Sequence, residues 1–541
     1  MTDAIAAPVS ASSAVSRRLR LPAVDARLAA TVAGPLALVA LWLLLATARP
    51  ALFPTPLAVG RAVVDDWSLI VANTRSTAGV AVRGWLWGNG AAIAIAAVVA
   101  FVPALEHAAL RMAAIVYCLP ALAIGPVLQV VLNGDSPKVA VSVLTVFFTT
   151  LVGALVGLRA APGAALDVIR ASGGGRLLQL RIVRLRATLP HLFAGLRIAG
   201  PAAVLGAILG EYLGGAKGLG PAMVTAQSQL QVPRTWALGL AATVLAGAAY
   251  GAAALAGKLT SGWAGNAAVD AAVPGEVRSR PHGLPRRLAA AVGGLAISLL
   301  AAVAAWWALI EIFDLDPLVA KSPGDVWQFL VSGADAAANR SEVFGAMRST
   351  LGSAATGYVA GTVAALVLTT LFVTVPAVQY AVMPAAVVLQ SVPLGVFTPI
   401  VLIVFGRGLV TSAVICGIVT FFPTLVLTAT AIRDVPRGVL DVFDASGARR
   451  FTTLRKAQLP AAVPALLAAA RVAVPRSIVG GLLVEWLASG TGIGYLMLRS
   501  TTTFEYTQLW AAVVVCTTTM VVLYSVVTFV EAQVLERWGA G

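Results

Sequence analysis

An all-α membrane protein of about twelve transmembrane helices, built as two parallel six-helix repeats, is predicted by three observations. Hydrophobic residues make up 59% of the 541 residues and charged ones 11%, with a mean hydropathy of +0.90. Apolar runs of about 20 residues, each long enough to cross a bilayer, recur along the chain. The second half repeats the first in register. Soluble domains carry roughly 25% charge, so composition excludes a water-soluble enzyme. The same hydrophobicity excludes disorder.

A polar stretch with Arg17, Arg18, Arg20 and Arg27 precedes the first apolar run, 29–48. Ala46-Thr47-Ala48 resembles a signal-peptide cleavage site, but the run exceeds the roughly 7–15 residues of a signal core, which favours an uncleaved span. Further spans are expected at 76–102, 108–132, 139–158, 192–213 and 236–256. A second series follows at 288–312, 352–375, 380–405, 410–432, 465–487 and 509–532. The expected organisation is an N-terminal tail (1–28), a first transmembrane domain (29–257), a linker (258–287), a second transmembrane domain (288–535) and a C-terminal tail (536–541). Gly262, Gly265, Pro274, Gly275, Pro281 and Pro285 give the linker the composition of a flexible tether.

The net charge of +15 is read by position rather than as a nucleic-acid footprint. Arg159, Arg170, Arg176, Arg181, Arg184 and Arg186 face one acid, Asp167, in a single loop, and 433–456 is also basic. Lys and Arg collect in cytoplasmic loops, so these loops, the linker and both chain ends are expected in the cytoplasm of a bacterial inner membrane. Cys118, Cys416 and Cys516 sit in apolar stretches with no CxxC, and His107, His191 and His282 are far apart. No disulfide framework or zinc motif is indicated.

Arg75-Ser76-Thr77 recurs as Arg348-Ser349-Thr350, 273 positions on (75 to 348). Pro103, Pro120 and Pro126 recur at that spacing as Pro376, Pro393 and Pro399. From Asp167/Asp441 onward the spacing is 274, through Pro190/Pro464, Arg197/Arg471, Pro201/Pro475, Glu211/Glu485, Gly218/Gly492 and Gly220/Gly494. Six spans per unit insert both units the same way up, and the pathway is expected at their interface.

The duplicated loop between the fourth and fifth spans carries the strongest functional signal. One copy holds Asp167, Ala171, Gly173, Arg176 and Pro190; the other holds Asp441, Ala445, Gly447, Arg450, Pro460 and Pro464. The pattern reads as helix, glycine turn, helix, with Pro190 and Pro464 expected in the first turn of the next span. At these residues the chain resembles the inner-membrane permeases of ABC importers, whose cytoplasmic EAA loop docks into an ATPase subunit. Pro54-Thr55-Pro56, and Glu211 and Glu485 ahead of Gly218-Leu219-Gly220 and Gly492-Ile493-Gly494, resemble the nitrate/sulfonate/taurine branch. The resemblance implies separate ATPase subunits, in two copies, an extracytoplasmic substrate-binding protein that selects the solute, and a small polar or anionic cargo. It departs from the family where Asp replaces Glu in both loops and where Arg186 stands for Pro460, so the two docking surfaces are expected to differ in strength.

The Gly-Lys of Gly251–Lys258 is followed by Leu259, so a GxxxxGK[ST] loop is missing, and no cofactor is expected on this chain; ATP is used by the partners. Charges in or beside spans are candidates for pathway or gating roles: Arg83, Arg197, Arg471, Glu211 and Glu485. For the two arginines of the fifth spans, snorkelling or a structural ion pair is the simpler reading. Glu211 and Glu485 are read as shaping the turns ahead of Gly-x-Gly, and Trp306-Trp307 as interfacial anchors. A 6+6 secondary transporter driven by an ion gradient is the alternative. It explains the span count but not the duplicated loop.

Overall fold

In a bilayer the backbone has no partner but itself, so long Ala/Leu/Val runs close into helices. The computed structural model describes residues 53–261, 284–375, 394–487 and 489–537, with 36, 39–40, 42–50, 378–379, 382–383 and 386. Among them every regular element is helical. The first half contains α1 (Pro56–Asp65), α2 (Trp67–Phe101), α3 (Glu106–Cys118), α4 (Ala121–Val131), α5 (Ser136–Arg159), α6 (Gly163–Ala171), α7 (Leu185–Tyr212), α8 (Leu219–Ser228) and α9 (Val232–Ser261). The second contains α10 (Leu284–Ile312), α11 (Ala336–Thr374), α12 (Leu394–Phe405), α13 (Leu409–Arg433), α14 (Arg437–Ala445), α15 (Leu459–Leu487), α16 (Ile493–Thr502) and α17 (Tyr506–Arg537). Nine helices among the described residues are long and apolar enough to span. Half of the span expected at 29–48, and most of the first part of that at 380–405, fall outside the described residues. Most of the linker, 262–283, does so too.

The apolar run expected to span at 108–132 is helical but not one continuous helix. It is broken into α3 and α4, bent by 87°. Pro120 is the cause: it disfavours helical backbone at the preceding residue, and Leu119 is extended (φ −75°, ψ 108°). Neither piece, at 13 and 11 residues, is long enough to cross alone.

The break lets the halves interlock. Helix α4 packs against α15, α16 and α17 of the second half, and α12 packs against α7, α8 and α9 of the first. One apolar core therefore holds Leu122, Val127 and Leu209 together with Ile478, Leu482 and Met497. Tyr117 of α3 donates to the Val472 carbonyl across the same boundary (2.9 Å). Within each half, helices meet closely at small residues. Gly84 and Gly88 of α2 lie against Ser142 and Val143 of α5, and Gly357 and Gly361 of α11 against Cys416 and Gly417 of α13.

Trp306, expected as an interfacial anchor, has an aromatic partner in the second half. It stacks on Trp510 (5.1 Å, 5°), and Trp42 stacks on Trp236 (5.5 Å, 18°) in the first half. Trp307 is exposed.

Candidate functional site

At one end of each half lies the basic loop. Helix α6 ends in a left-handed turn: Gly173 has φ +75°, its N–H bonds to the Arg170 carbonyl (2.9 Å), and the Gly174 N–H bonds to that of Ile169 (2.8 Å). Helix α14 ends alike, with Gly447 at φ +67° and bonds from Gly447 to Asp444 and from Ala448 to Phe443, both 3.0 Å. These paired bonds cap the last carbonyls of each helix. A residue with a Cβ there costs roughly 1–2 kcal/mol in backbone strain. A Cβ on either glycine would meet nothing within 4 Å, so the cost is conformational only.

The loop helices stand out from the bundle. Asp167 is exposed and paired with Arg170 (2.9 Å); Ala171, Arg176, Asp441, Ala445 and Arg450 are exposed too. Val168 and Val442, one position after each aspartate, present 63% and 66% of their surface, and Leu177 and Phe451 are also exposed. The proline expectation is corrected. Helical structure runs unbroken from Arg176 to Tyr212 and from Arg450 to Leu487, and Pro190 and Pro464 lie inside it. A wide i→i+5 turn precedes them in both halves, at Leu180–Arg184 and Leu454–Gln458. It forms equally whether Arg186 or Pro460 follows, so that proline does not cause it.

The opposite end of each half holds a buried carboxylate cage. Thr77 donates to one oxygen of Glu211 (2.8 Å), the Gly220 N–H to the other (3.0 Å), and the Leu219 N–H bonds to the Thr77 hydroxyl (2.9 Å). The copy is Thr350 to Glu485 (2.7 Å), Gly494 to Glu485 (2.8 Å) and Ile493 to Thr350 (2.9 Å). Both glutamates and both threonines are buried. Gly218 (φ +124°) and Gly492 (φ +99°) start α8 and α16, and a Cβ on either would overlap the carboxyl. The cages thus pin α8 and α16, which touch α12 and α4 of the other half. The repeated Arg-Ser-Thr was the sequence signal for the threonines, but nothing in it assigned them this partner. Asn73, accepting from the Gly218 N–H (2.9 Å), is an addition in the first half.

The remaining charges separate the halves. Arg471 pairs with Glu531 (3.3 Å), both buried. The corresponding Arg197 is half-buried beside Gly257, which occupies the position equivalent to Glu531. Arg83 reaches Asp135 (3.2 Å), which also accepts from Lys138 (2.9 Å). Those two cations, Lys138 first, hold the Asp135 carboxyl below its usual range. Arg83, Trp87 and Asp135 line an open groove of about 530 Å³. Its counterpart, about 660 Å³, has Thr356 in place of Arg83 and a lining of Val410, Val414, Phe421 and other apolar residues. No cluster of metal ligands occurs among the described residues.

Twin helical units, each with an exposed turn-capped loop and packed together through short helices, suit a multi-pass membrane permease, and the family match makes it one of an ABC import system. Residues 88–260 and 357–538 each match the family described as the binding-protein-dependent transport system inner membrane component, and the chain belongs to it, carrying the unit twice. It is 26% identical over 251 residues to a riboflavin transport system permease protein of Chloroflexus aurantiacus, covering 90% of that protein and 46% of this chain. It is 30% identical over 128 residues to a formylaminopyrimidine transport permease protein of Halalkalibacterium halodurans, covering 51% of that protein and 24% of this chain. A nitrate import permease protein of Leptolyngbya laminosa is 22% identical over 232 residues, 83% of its length and 39% of this chain. The first match covers nearly a whole relative with under half of this chain, as two fused units require.

Proposed function

We propose that this chain alone supplies both transmembrane halves of an ATP-driven importer, coupled to two separate ATPase subunits through the α6 and α14 loops. The carrying observation is the pair of exposed, glycine-capped loop helices, each presenting an apolar residue (Val168, Val442) beside an aspartate. A structured but unpacked helix with an exposed apolar face is suited to a cleft in a partner. The basic loops, and with them both chain ends, lie in the cytoplasm by the charge rule. The chain carries no motor of its own: Lys258 is followed by Leu259, and ATP is consumed by the partners. The cargo is a small polar or anionic solute delivered by an extracytoplasmic binding protein. Relatives named for riboflavin, formylaminopyrimidine and nitrate support that class.

Co-purification of the ATPase tests the coupling. Gly173→Val and Gly447→Val should insert normally and lose ATPase capture and uptake. Gly173→Asn and Gly447→Asn should retain both, because asparagine tolerates the left-handed turn. Undiminished capture by both valine variants would show these loops to be ordinary connections.

A further inference from the structure

Two backbone outliers stand at equivalent places at the ends of the halves opposite the basic loops. Leu230 (φ +56°) follows α8 and Phe504 (φ +62°) follows α16, 274 positions apart (230 to 504). Leu230 sits in the same capped turn as Gly173 and Gly447, and Phe504 in one that keeps the second of its two bonds. The Leu230 N–H bonds to the Gln227 carbonyl (2.9 Å), the Gln231 N–H to Ala226 (2.8 Å), and the Glu505 N–H to Ser500 (2.9 Å). Glycine is the residue that occupies this conformation without strain. Here the chain twice keeps a large apolar side chain instead. Packing compensates little, since Leu230 is 78% exposed and Phe504, 74% exposed, meets only the edge of Tyr506 among the aromatic rings (6.2 Å). Strain retained at two equivalent positions, with the side chain in the open, points to a role for that side chain.

Both residues have braced charged groups close by, and Val64 and Trp67, near Asp66, are exposed as well. Beside Leu230, Arg234 holds Asp66 through two bonds of 2.6 Å and also donates to Gln231. Near Phe504, Arg499 pairs with Glu342 (3.2 Å), to which Gln508 donates (2.8 Å). These charges argue against burial in hydrocarbon. Helices α9 and α17, which begin just after the two residues, have 30 and 32 residues. At 1.5 Å per residue they exceed the roughly 30 Å hydrocarbon core, leaving room for their ends to stand in water. An exposed apolar side chain beside braced charged groups is suited to serve as an interface hot spot.

We propose that Leu230 and Phe504 are paired apolar anchors, one per half, on which the soluble binding protein docks. This rests on the binding-protein-dependent reading above and adds the contact points. The partner is expected to offer two apolar recesses, each with a polar rim.

The test uses the full chain in lipid nanodiscs and, as probe, the purified substrate-binding protein of the same import system, with Kd read by interferometry. Leu230→Gly and Phe504→Gly relieve the turns, so thermal stability should not fall. Docking should weaken by about tenfold for each variant and about a hundredfold for both together. Phe504→Leu should keep most of the affinity. Wild-type Kd in the double glycine variant overturns the inference and leaves the binding-protein reading standing. No binding by the wild-type chain overturns both. Strong quenching of Leu230→Trp or Phe504→Trp by brominated lipid identifies membrane anchors and likewise overturns the proposal.

Discussion

The fifth spans of the two halves begin alike and are held differently. In the second half Arg471 and Glu531 form a buried pair between α15 and α17. In the first, Gly257 stands where Glu531 would be, and Arg197 lies against that glycine, half-buried. The carboxylate cages, by contrast, match donor for donor. The difference teaches which features a duplicated unit can lose. A cage whose glycine leaves no room for a Cβ is fixed by sterics. A charge can lose its partner if its side chain reaches a more solvated surface.

The largest break in this comparison is expected from Glu531→Ala. Taking the carboxylate from a buried arginine should cost about 3–5 kcal/mol, whereas Arg197→Ala should cost about 1 kcal/mol or less. Thermal unfolding of the two variants in detergent measures the gap, and equal losses would mean that the halves hold their arginines in the same way. Next, Gly218→Ala and Gly492→Ala should each cost about 2–4 kcal/mol, from backbone strain plus a displaced buried carboxylate. A cage of equal weight in both halves requires similar losses, and a tolerated alanine at either position would contradict the geometry. Asn73→Ala sharpens the comparison, since it removes a bond that only the first half has, worth about 1 kcal/mol. The smallest effect concerns Asp135. Its carboxyl titrates lower folded than unfolded, so the cluster with Lys138 and Arg83 stabilises above the unfolded value near 4. That contribution is lost as pH falls through the lower folded value. The group is half-exposed, so the contribution is well under about 1 kcal/mol. Melting curves between pH 6 and 3 should show a slightly steeper acid loss for wild type than for Asp135→Asn.

Repetition made much of this legible in sequence. The paired Glu, Gly and Arg-Ser-Thr positions were visible as a register before any contact was known, and they carry the cages. The bend at Leu119-Pro120 was not, because the apolar run continues through it and hydropathy has no term for direction. Pro190 and Pro464 were placed a turn too early because a wide turn lets helical structure pass into the span without a new start. Leu230 and Phe504 gave no signal at all. Left-handed turns are read from glycine and asparagine, and a leucine or phenylalanine there looks like any loop residue. Glu531 was hidden inside a predicted span, where a lone acid with no repeat partner has nothing to mark it.

The exchange of α4 and α12 across the boundary also bears on how the chain can be divided. Each unit lends the other a short helix, so the tether between them is not the main source of cohesion. A gene cut within the codons for 262–283 and expressed as two fragments should yield a complex that reassembles in the membrane. Either fragment made alone would lack the neighbour that covers Leu122 and Val127, or Ile478 and Leu482, and would be a substrate for membrane proteases. A bicistronic version of this protein is therefore a workable instrument, because mutations could be placed in one unit while the other is labelled separately.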